Sequence, residues 1–351
     1  MNMAKRAFLV CLLFMCAHCH KNKSLVETPN NGQTGDGFER YQDVRWQDLR
    51  AYESQLNPEI IKTLWFNEET IWPDVYTRFA DDLMRKGMNP GLGVKGLHDQ
   101  GITGQGVRVA IIDQNMCLDH PEYTGKIITY RDFGCNQPSH RGSMHAPGAR
   151  VYFAAVPSWT GDARYYADAL HWIIDENESL SESAKIRVVS VSAAPSGQGS
   201  SFHLNNAAWD SAYVRAAQND ILVVDCTIDR GIADACYYDI EHPEDITKCT
   251  PGYPGVDSQY LRDRLFVPNS FRTQAEEYTR GSYSYQYTGR GGLSWCPPYL
   301  AGILALGWQV RPELTNEQIV QLLSQTAYLK NGAYRIVNPA AFIDAVRVYG
   351  Q

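Results

Sequence analysis

The sequence predicts an α/β domain with a mainly parallel central sheet. Five short apolar runs rich in Val and Ile recur from Gly96 onward: VRVAIID, KIITYRD, ARVYFAAV, IRVVSVSAA and DILVVDC. Strands without a polar face are typical of parallel sheets, which are buried on both sides. Amphipathic stretches such as ARYYADALHWIIDENE and NAAWDSAYVRAAQ separate several of these runs and predict connecting helices. In such domains the active groups lie at the carboxyl ends of the strands.

The last part of the chain predicts three more helices. PPYLAGILALGWQV predicts a buried helix, and PELTNEQIVQLLSQTAYL predicts an amphipathic helix with Thr315 as its N-cap. NPAAFIDAVRVYG predicts a short final helix. Between Ala233 and Tyr285 the sequence mixes Pro, Gly, Tyr and charged residues, so we expect surface loops or a small insertion there.

Residues 1–20 predict a signal peptide. MNMAKR carries positive charge and precedes AFLVCLLFMCA, an apolar run of about eleven residues that is too short to span a bilayer comfortably. Two alternatives stay open: an uncleaved membrane anchor, because no clean cleavage site follows, and a lipid anchor on Cys16 or Cys19. Met15 and His18 disfavour the lipid anchor because they stand where a small residue is usual. We expect an exported protein, either secreted or associated with the cell envelope.

The rest of the chain divides by composition into three parts. Residues 21–40 are rich in Asn, Gly, Thr and Pro, which is typical of a solvated linker. In residues 41–95 the apolar positions follow helical spacing, interrupted at Asn57-Pro58 and Trp72-Pro73, and predict a helical N-terminal extension. Residues 96–351 form the main domain.

Charge and composition exclude some partners. The net charge of −7 and the absence of basic runs beside aromatic residues give no reason to expect nucleic acid. Six cysteines lie beyond the predicted signal peptide: Cys117, Cys135, Cys226, Cys236, Cys249 and Cys296. An oxidising compartment could pair them, but buried free thiols are an equal alternative, and their spacing is not that of a zinc site.

The most specific local pattern is GLSWCPPYLAG, from Gly292 to Gly302, in which Ser294 precedes the predicted buried helix. A hydroxyl at a helix N-terminus faces unpaired backbone N–H groups and the positive end of the helix dipole, which favour negative charge developing nearby. An N-capping serine would look the same, so the pattern alone leaves both interpretations open.

This segment resembles the nucleophile motif of the subtilisin family, Gly-Thr-Ser-x-Ala-x-Pro-x-x-Ala-Gly. Four positions are in register: Ser294, Pro298, Ala301 and Gly302. Leu293 and Cys296 depart from the motif.

Three further segments resemble the same family. GITGQGVRVAIIDQNMCLDHPEY is similar to its first core strand, which ends in the catalytic aspartate, here Asp113. The usual Asp-Ser/Thr-Gly is replaced by Asp113-Gln114-Asn115. IRVVSVSAAPSGQG is similar to the strand that flanks the substrate, and WDSAYVRAAQNDILVVDC to the helix and strand that follow. The resemblance implies a subtilisin-like three-layer fold with helices on both faces of the sheet.

The resemblance also implies a histidine base, and here the sequence departs most. The family places this residue in a His-Gly-Thr-like segment at the start of a helix, whereas this chain has CNQPSHRGSMHAPGARVYFAAV. Residues 133–149 contain Pro138 and Pro147 and are a poor helix former, so we expect the helix to be missing. His145 is our first choice for the base and His140 is the alternative.

Three other expectations follow from the resemblance. Asp229 falls closest to the family's oxyanion asparagine, and an ionised carboxylate would repel the developing oxyanion. Ser192, Ala193 and Ala194 would bind an extended peptide by strand addition. No metal or other cofactor is implied, with calcium left open.

Two functions fit these residues. The first is a serine endopeptidase with an Asp113, His145 and Ser294 triad, acting on a peptide or protein substrate through an acyl-enzyme. The second is a catalytically inactive pseudoprotease that binds peptides or serves as a scaffold. Both candidate histidines could be solvated loop residues, and His120, beside Pro121, is expected in a turn.

Overall fold

The computed structural model describes residues 38–116, 118, 120–135, 141–142, 147–253, 256–257, 264–279 and 282–351. In these residues the strands are β1 (Trp65–Asn67), β2 (Arg108–Asp113), β3 (Ile127–Asp132), β4 (Arg141–Gly142), β5 (Arg150–Ala155), β6 (Ile186–Val191), β7 (Leu222–Val224), β8 (Ala233–Tyr237), β9 (Thr250–Tyr253), β10 (Val256–Asp257), β11 (Leu265–Pro268), β12 (Arg272–Thr279), β13 (Ser282–Thr288), β14 (Tyr328–Lys330) and β15 (Tyr334–Ile336). The α-helices are α1 (Pro58–Ile61), α2 (Asp74–Gly87), α3 (Val94–Asp99), α4 (Arg164–Glu178), α5 (Asn206–Gln218), α6 (Cys296–Val310), α7 (Asn316–Gln325) and α8 (Pro339–Val348).

The five predicted apolar runs form one parallel sheet, in the order β3-β5-β2-β6-β7. Along β2, Val109 and Ile111 point into a core that also contains residues of α3, α6, α7 and α8. Ala110 and Ile112 point into a second core with α4 and α5. Helices therefore cover both faces, which is why these strands have no polar side, and the predicted three-layer α/β fold is confirmed.

The predicted helices are also confirmed. α6 is buried from Cys296 to Trp308. The Thr315 side chain accepts the backbone N–H of Gln318, whose own side chain accepts the Thr315 N–H, so α7 begins with a capping box.

The prediction of surface loops between Ala233 and Tyr285 was wrong, because this stretch contains strands β8 to β13; the alternative of a small insertion stays a prediction. β8 and β11 pair in parallel, and β12 and β13 form an antiparallel hairpin. Polar residues of this hairpin are buried with polar partners: the Gln286 side chain accepts hydrogen bonds from Trp65 Nε1 at 2.8 Å and from Arg45 Nη1 at 3.1 Å. Such internal pairing removes the alternation of apolar and polar residues that identifies a strand in a sequence.

The N-terminal extension contributes a strand that the sequence did not predict. β1 pairs antiparallel with β13, in a sheet with the order β1-β13-β12-β4. The ring of Phe66 packs on Tyr287 and Trp72 at centroid distances of 4.9 and 5.1 Å. A Cβ on Gly289, just after β13, would overlap the Lys62 carbonyl oxygen, so the two segments are in very close contact. The division of the chain near residue 95 stays a prediction.

The predicted signal peptide and most of the predicted linker lie outside the described residues. Within the described ranges, none of the helices combines the length and the hydropathy that a membrane span requires.

Phe66→Ala is expected to lower the free energy of unfolding by about 3–5 kcal/mol, because it removes a ring that is 1% exposed from a shared core. Val75→Ala, in the same extension but at a side chain that is 63% exposed, should change it by less than about 0.5 kcal/mol. Denaturant unfolding of both variants in a Ser294→Ala background measures the difference. A loss below about 1 kcal/mol for Phe66→Ala would show that the extension is not part of the folded core.

Candidate active site

Asp113 ends the central strand β2 and is 5% exposed. Its Oδ1 accepts the Gln114 N–H at 2.7 Å. Ile112 is in register with Val191 of β6, so Ser192 follows β6 beside Asp113. The Ser192 hydroxyl interacts with the carboxyl but does not reach the geometry of a close hydrogen bond. Among the described residues, Asp113 Oδ2 therefore has no hydrogen-bond partner.

Burial raises the pKa of Asp113 to about 7, against the smaller opposing effects of Ser192 and the Gln114 N–H. A carboxyl group in this position is easily protonated near neutral pH. Its unpaired oxygen can accept one more hydrogen bond, as an imidazole-orienting aspartate must do.

Ser294 lies in a 3₁₀ turn, Leu293–Trp295, that leads into α6. Its side chain is buried, with the residue 8% exposed. Prolines in the first turn of α6 fit a helix start, because their missing N–H groups would have no helical acceptor there. The predicted position of Ser294, at the mouth of a buried helix, is confirmed.

The chain before Ser294 is held by a close backbone contact. A Cβ on Gly291 would overlap the Asn269 carbonyl oxygen, so a larger residue would displace this segment. Asn269 follows β11 and donates its N–H to the Cys236 carbonyl oxygen at 2.9 Å. The turn that carries Ser294 is thus anchored to the ends of β8 and β11.

Both candidate bases, His145 and His140, lie outside the described residues. Between them, β4 pairs antiparallel with Ala275 and Glu276 of β12. The described part of residues 133–149 contains this short strand, and the expected loss of the family's histidine helix stays a prediction.

The described histidines have other roles. His120 is 2% exposed, accepts the Glu122 N–H on Nδ1 and contacts the Ser284 carbonyl oxygen through Nε2 at 3.3 Å. It is therefore a structural residue of the turn beside Pro121, as expected. His98 is buried in α3, and desolvation lowers its pKa to about 4. No described histidine is hydrogen-bonded to Asp113.

The predicted substrate-flanking residues lie just after β6. Ser192 and Ala193 are buried, and Ala194 is half-buried. The Ala193 carbonyl oxygen accepts the Cys226 N–H at 3.0 Å, and the Ala194 carbonyl oxygen accepts the Ser200 hydroxyl at 2.6 Å. Part of the backbone in this segment is therefore already used within the protein.

Asp229 is exposed in the loop of residues 227–231, which follows β7. This loop packs against the segment after Ala194: Ile228 donates its N–H to the Gln198 carbonyl oxygen at 3.1 Å. A Cβ on Gly197 would lie 2.6 Å from Asp229 Oδ1, and Gly197 has a φ of +78°. Glycine is the residue that fits there without strain, so the loop of residues 227–231 and the segment after Ala194 are in close contact.

A set of charged residues that the sequence analysis missed holds this loop. Arg230 donates to Asp210 Oδ1 at 2.8 Å and to Ser196 Oγ at 2.6 Å, and lies 3.7 Å from Asp225 Oδ2. Arg264 donates to the Thr227 carbonyl oxygen at 3.0 Å. Part of the signal was present in the sequence, since Asp225 directly follows the apolar residues 221–224 and a buried carboxylate requires partners, but the sequence does not indicate which residues those partners are.

In the part of the chain that the structure describes, no group of three or more His, Cys, Asp or Glu side chains is arranged to hold a metal ion. The expectation that the protein needs no cofactor stays a prediction.

Comparisons with known proteins point to one class. No protein-family model matches the chain. The subtilisin-like protease PopC of Myxococcus xanthus is 23% identical over 277 residues, covering 67% of this chain and 58% of PopC. The thermostable alkaline protease of Halalkalibacterium halodurans is 24% identical, covering 66% of this chain and 64% of that protein. Subtilisin NAT of Bacillus subtilis subsp. natto is 24% identical, covering 68% of this chain and 65% of subtilisin NAT. This chain therefore spans 58% to 65% of the length of these relatives.

Solved structures show the same fold. Fervidolysin of Fervidobacterium pennivorans, a keratinolytic enzyme related to subtilisin, aligns with a TM-score of 0.53 at 17% identity, covering 72% of this chain and 45% of fervidolysin. The prenylagaramide maturation protease PagA aligns with a TM-score of 0.51 at 15% identity, covering 72% of this chain and 98% of PagA. The fold is that of the subtilisin-related proteins. The sequence matches above are likewise to subtilisin-like proteases, so both comparisons support a relationship to that family.

The raised pKa of Asp113 predicts a pH-dependent stability. Its folded value of about 7 is above the unfolded value near 4, so the folded chain holds the proton more tightly. The stabilisation of the folded state by this proton is complete below about pH 4 and is lost as the pH rises to about 7. The test uses a background of Ser294→Ala with His140→Ala and His145→Ala, in which neither candidate base can pair with Asp113. There, Asp113→Asn should exceed its parent in stability above pH 7 by up to about 4 kcal/mol, with a smaller difference towards pH 4.

Denaturant unfolding between pH 4 and pH 8 measures this difference. Asp168→Asn, on the exposed side of α4, is the matched control and should show no comparable trend. A difference for Asp113→Asn that does not change with pH would contradict the burial of an unpaired carboxyl at this position.

Proposed function

We propose that the protein is a serine endopeptidase that hydrolyses peptide bonds of proteins with Ser294 as nucleophile. The observation that carries this proposal is the Asp113 carboxyl, which is buried at the end of the central strand with one oxygen unpaired. Such an arrangement opposes folding at neutral pH, and strongly perturbed groups of this kind cluster at functional sites. The protease names of the relatives support the same reaction.

In the proposed reaction the Ser294 hydroxyl attacks the substrate carbonyl carbon while a histidine takes its proton. His145 is the first choice for this base and His140 the alternative. Asp113 Oδ2 accepts the hydrogen bond of the imidazole Nδ1–H and stabilises the imidazolium ion. The same histidine then protonates the leaving amine, and water hydrolyses the acyl-enzyme.

The oxyanion site would be weaker than in the family. Loss of one donor typically reduces the rate about 10²–10³-fold, a magnitude obtained in a subtilisin. With Asp229 near the asparagine position, the backbone N–H of Ser294 would have to carry most of this stabilisation. The substrate would be a peptide or protein bound in extended form beside residues 192–194, and the predicted signal peptide would direct the enzyme to export.

A pseudoprotease that binds peptides is the second candidate. It is favoured by one observation, that no described histidine is hydrogen-bonded to Asp113. In this case the fold and the segment after β6 would be retained without chemistry.

A fluorophosphonate probe distinguishes the two functions, because it reacts with a serine only when a base activates it. Intact-mass measurement should show one adduct on the native protein and none on Ser294→Ala. His145→Ala should slow labelling at least about 100-fold, the scale of a lost general base. His140→Ala tests the alternative base, and Ser183→Ala, at an exposed serine, is the control. A folded protein that stays unlabelled would establish the pseudoprotease.

Asp229→Asn is expected to raise kcat/KM for a peptide substrate by up to about 100-fold, because an amide can donate to the oxyanion that a carboxylate repels. The parallel variant Asp168→Asn should leave the rate unchanged. Equal rates for Asp229→Asn and the native enzyme would show that this residue does not face the reacting carbonyl.

A further inference from the structure

Two of the buried cysteines lie close together on neighbouring strands. Cys236 lies in β8, and Cys249 immediately precedes β9. Both are 0% exposed and belong to one core with Phe66 and Tyr287. In the structure they are free thiols, as are Cys135 and Cys296.

The register of the two strands explains their proximity. β8 and β9 are antiparallel, with Cys236 opposite Pro251 and Tyr237 opposite Thr250. Cys249, one residue before β9, falls in line with Tyr238 and is therefore a diagonal neighbour of Cys236. Because successive side chains alternate between the faces of a strand, both cysteines lie on the same face. Among the side chains that raise the pKa of Cys236, that of Cys249 has the largest effect, in agreement with the position of both on one face.

The other described cysteines are less suited to pairing. Cys135 directs its thiol to the Val156 carbonyl oxygen at 3.6 Å, and Cys226 lies 4.0 Å from the Val191 carbonyl oxygen. Cys296 is near enough to Cys236 for a charge interaction, but it is not hydrogen-bonded to it. Cys236 and Cys249 are therefore the favoured pair among the described cysteines.

We propose that Cys236 and Cys249 form an intramolecular disulfide in an oxidising environment and that Cys296 stays a free thiol. The oxidant would be a disulfide, either a small molecule such as oxidised glutathione or a thiol oxidase protein. One thiolate attacks a sulfur of the oxidant to give a mixed disulfide and releases one reduced thiol. The second cysteine, as thiolate, then attacks the mixed disulfide, which forms the protein disulfide and releases the second reduced thiol of the oxidant. Two electrons thus pass to the oxidant.

Burial determines when this reaction can occur. Desolvation and the neighbouring Cys249 raise the pKa of Cys236 well above its ordinary value, and the nearby Arg272 guanidinium opposes this only in part. The reactive thiolate is therefore scarce in the folded protein. Oxidation should be fast during folding, before the thiols are buried, and the finished bond should resist reducing agents.

The crosslink would hold the segment that binds the N-terminal extension. Pro243, between the two cysteines, accepts the Leu92 N–H on its carbonyl oxygen at 2.7 Å. Glu244 accepts from the Asn89 side chain at 2.8 Å and from the Gly93 N–H at 2.5 Å. The disulfide would link the segment that contains Pro243 and Glu244 covalently to β8 at both ends of the loop. This effect does not depend on whether the protein is a protease.

The test uses the full chain in its Ser294→Ala form, unfolded, refolded with a mixture of reduced and oxidised glutathione, and then alkylated under denaturing conditions. Peptide mass mapping should find one crosslinked pair that contains Cys236 and Cys249, with Cys296 alkylated. When a reductant is added, the bond should persist far longer in the folded protein than in the unfolded protein. Pairing of either residue with another cysteine, or full alkylation of both, would overturn the proposal.

Thermal unfolding gives a second measurement. Reduction of the crosslinked protein should lower Tm by about 5–10 °C, because the constraint on the unfolded chain is removed. The double variant Cys236→Ala/Cys249→Ala should not respond to reductant, whereas Cys296→Ala should respond as its parent does. If Cys296→Ala alone abolishes the response, the crosslink involves a different pair.

Discussion

The proposed active site depends on a buried carboxyl group at the carboxyl end of the central strand. Asp113 ends β2, between β5 and β6, where the sheet and the layers on both of its faces exclude water. Burial raises the pKa of Asp113 to about 7, and one oxygen has no partner among the described residues. A fold selected only for stability would place an apolar or hydrogen-bonded residue there. The proposed function gives this carboxyl a role, because an aspartate that orients an imidazole must accept a hydrogen bond.

A second sheet connects the parts of the proposed site. Its order, β1-β13-β12-β4, joins the N-terminal extension, the strand that leads to Ser294, and the segment between His140 and His145. A change in the extension can therefore affect the strand before the serine, and β12 pairs with β4, which lies between the two candidate histidines in the sequence.

The central sheet and its helices could be predicted because buried parallel strands are continuous apolar runs and α6 is apolar on all sides. Asp113 and Ser294 could be located because the segments around them resemble motifs of the subtilisin family. The hairpin β12–β13 could not be predicted, because Gln286 is buried among polar partners from distant parts of the chain. Nor could the ion pairs of Arg230, because side chains that converge from three segments leave no periodic signal. The position of a loop histidine depends on tertiary contacts in the same way.

The central claim is that Ser294, an imidazole and Asp113 act together, and a crystal structure of the fluorophosphonate-treated protein tests it most directly. It should show a bond from Ser294 Oγ to phosphorus and one imidazole, that of His145 or His140, hydrogen-bonded to Asp113 Oδ2. An unmodified Ser294 with no imidazole within about 6 Å of its hydroxyl would contradict the claim and leave a binding protein with the subtilisin fold.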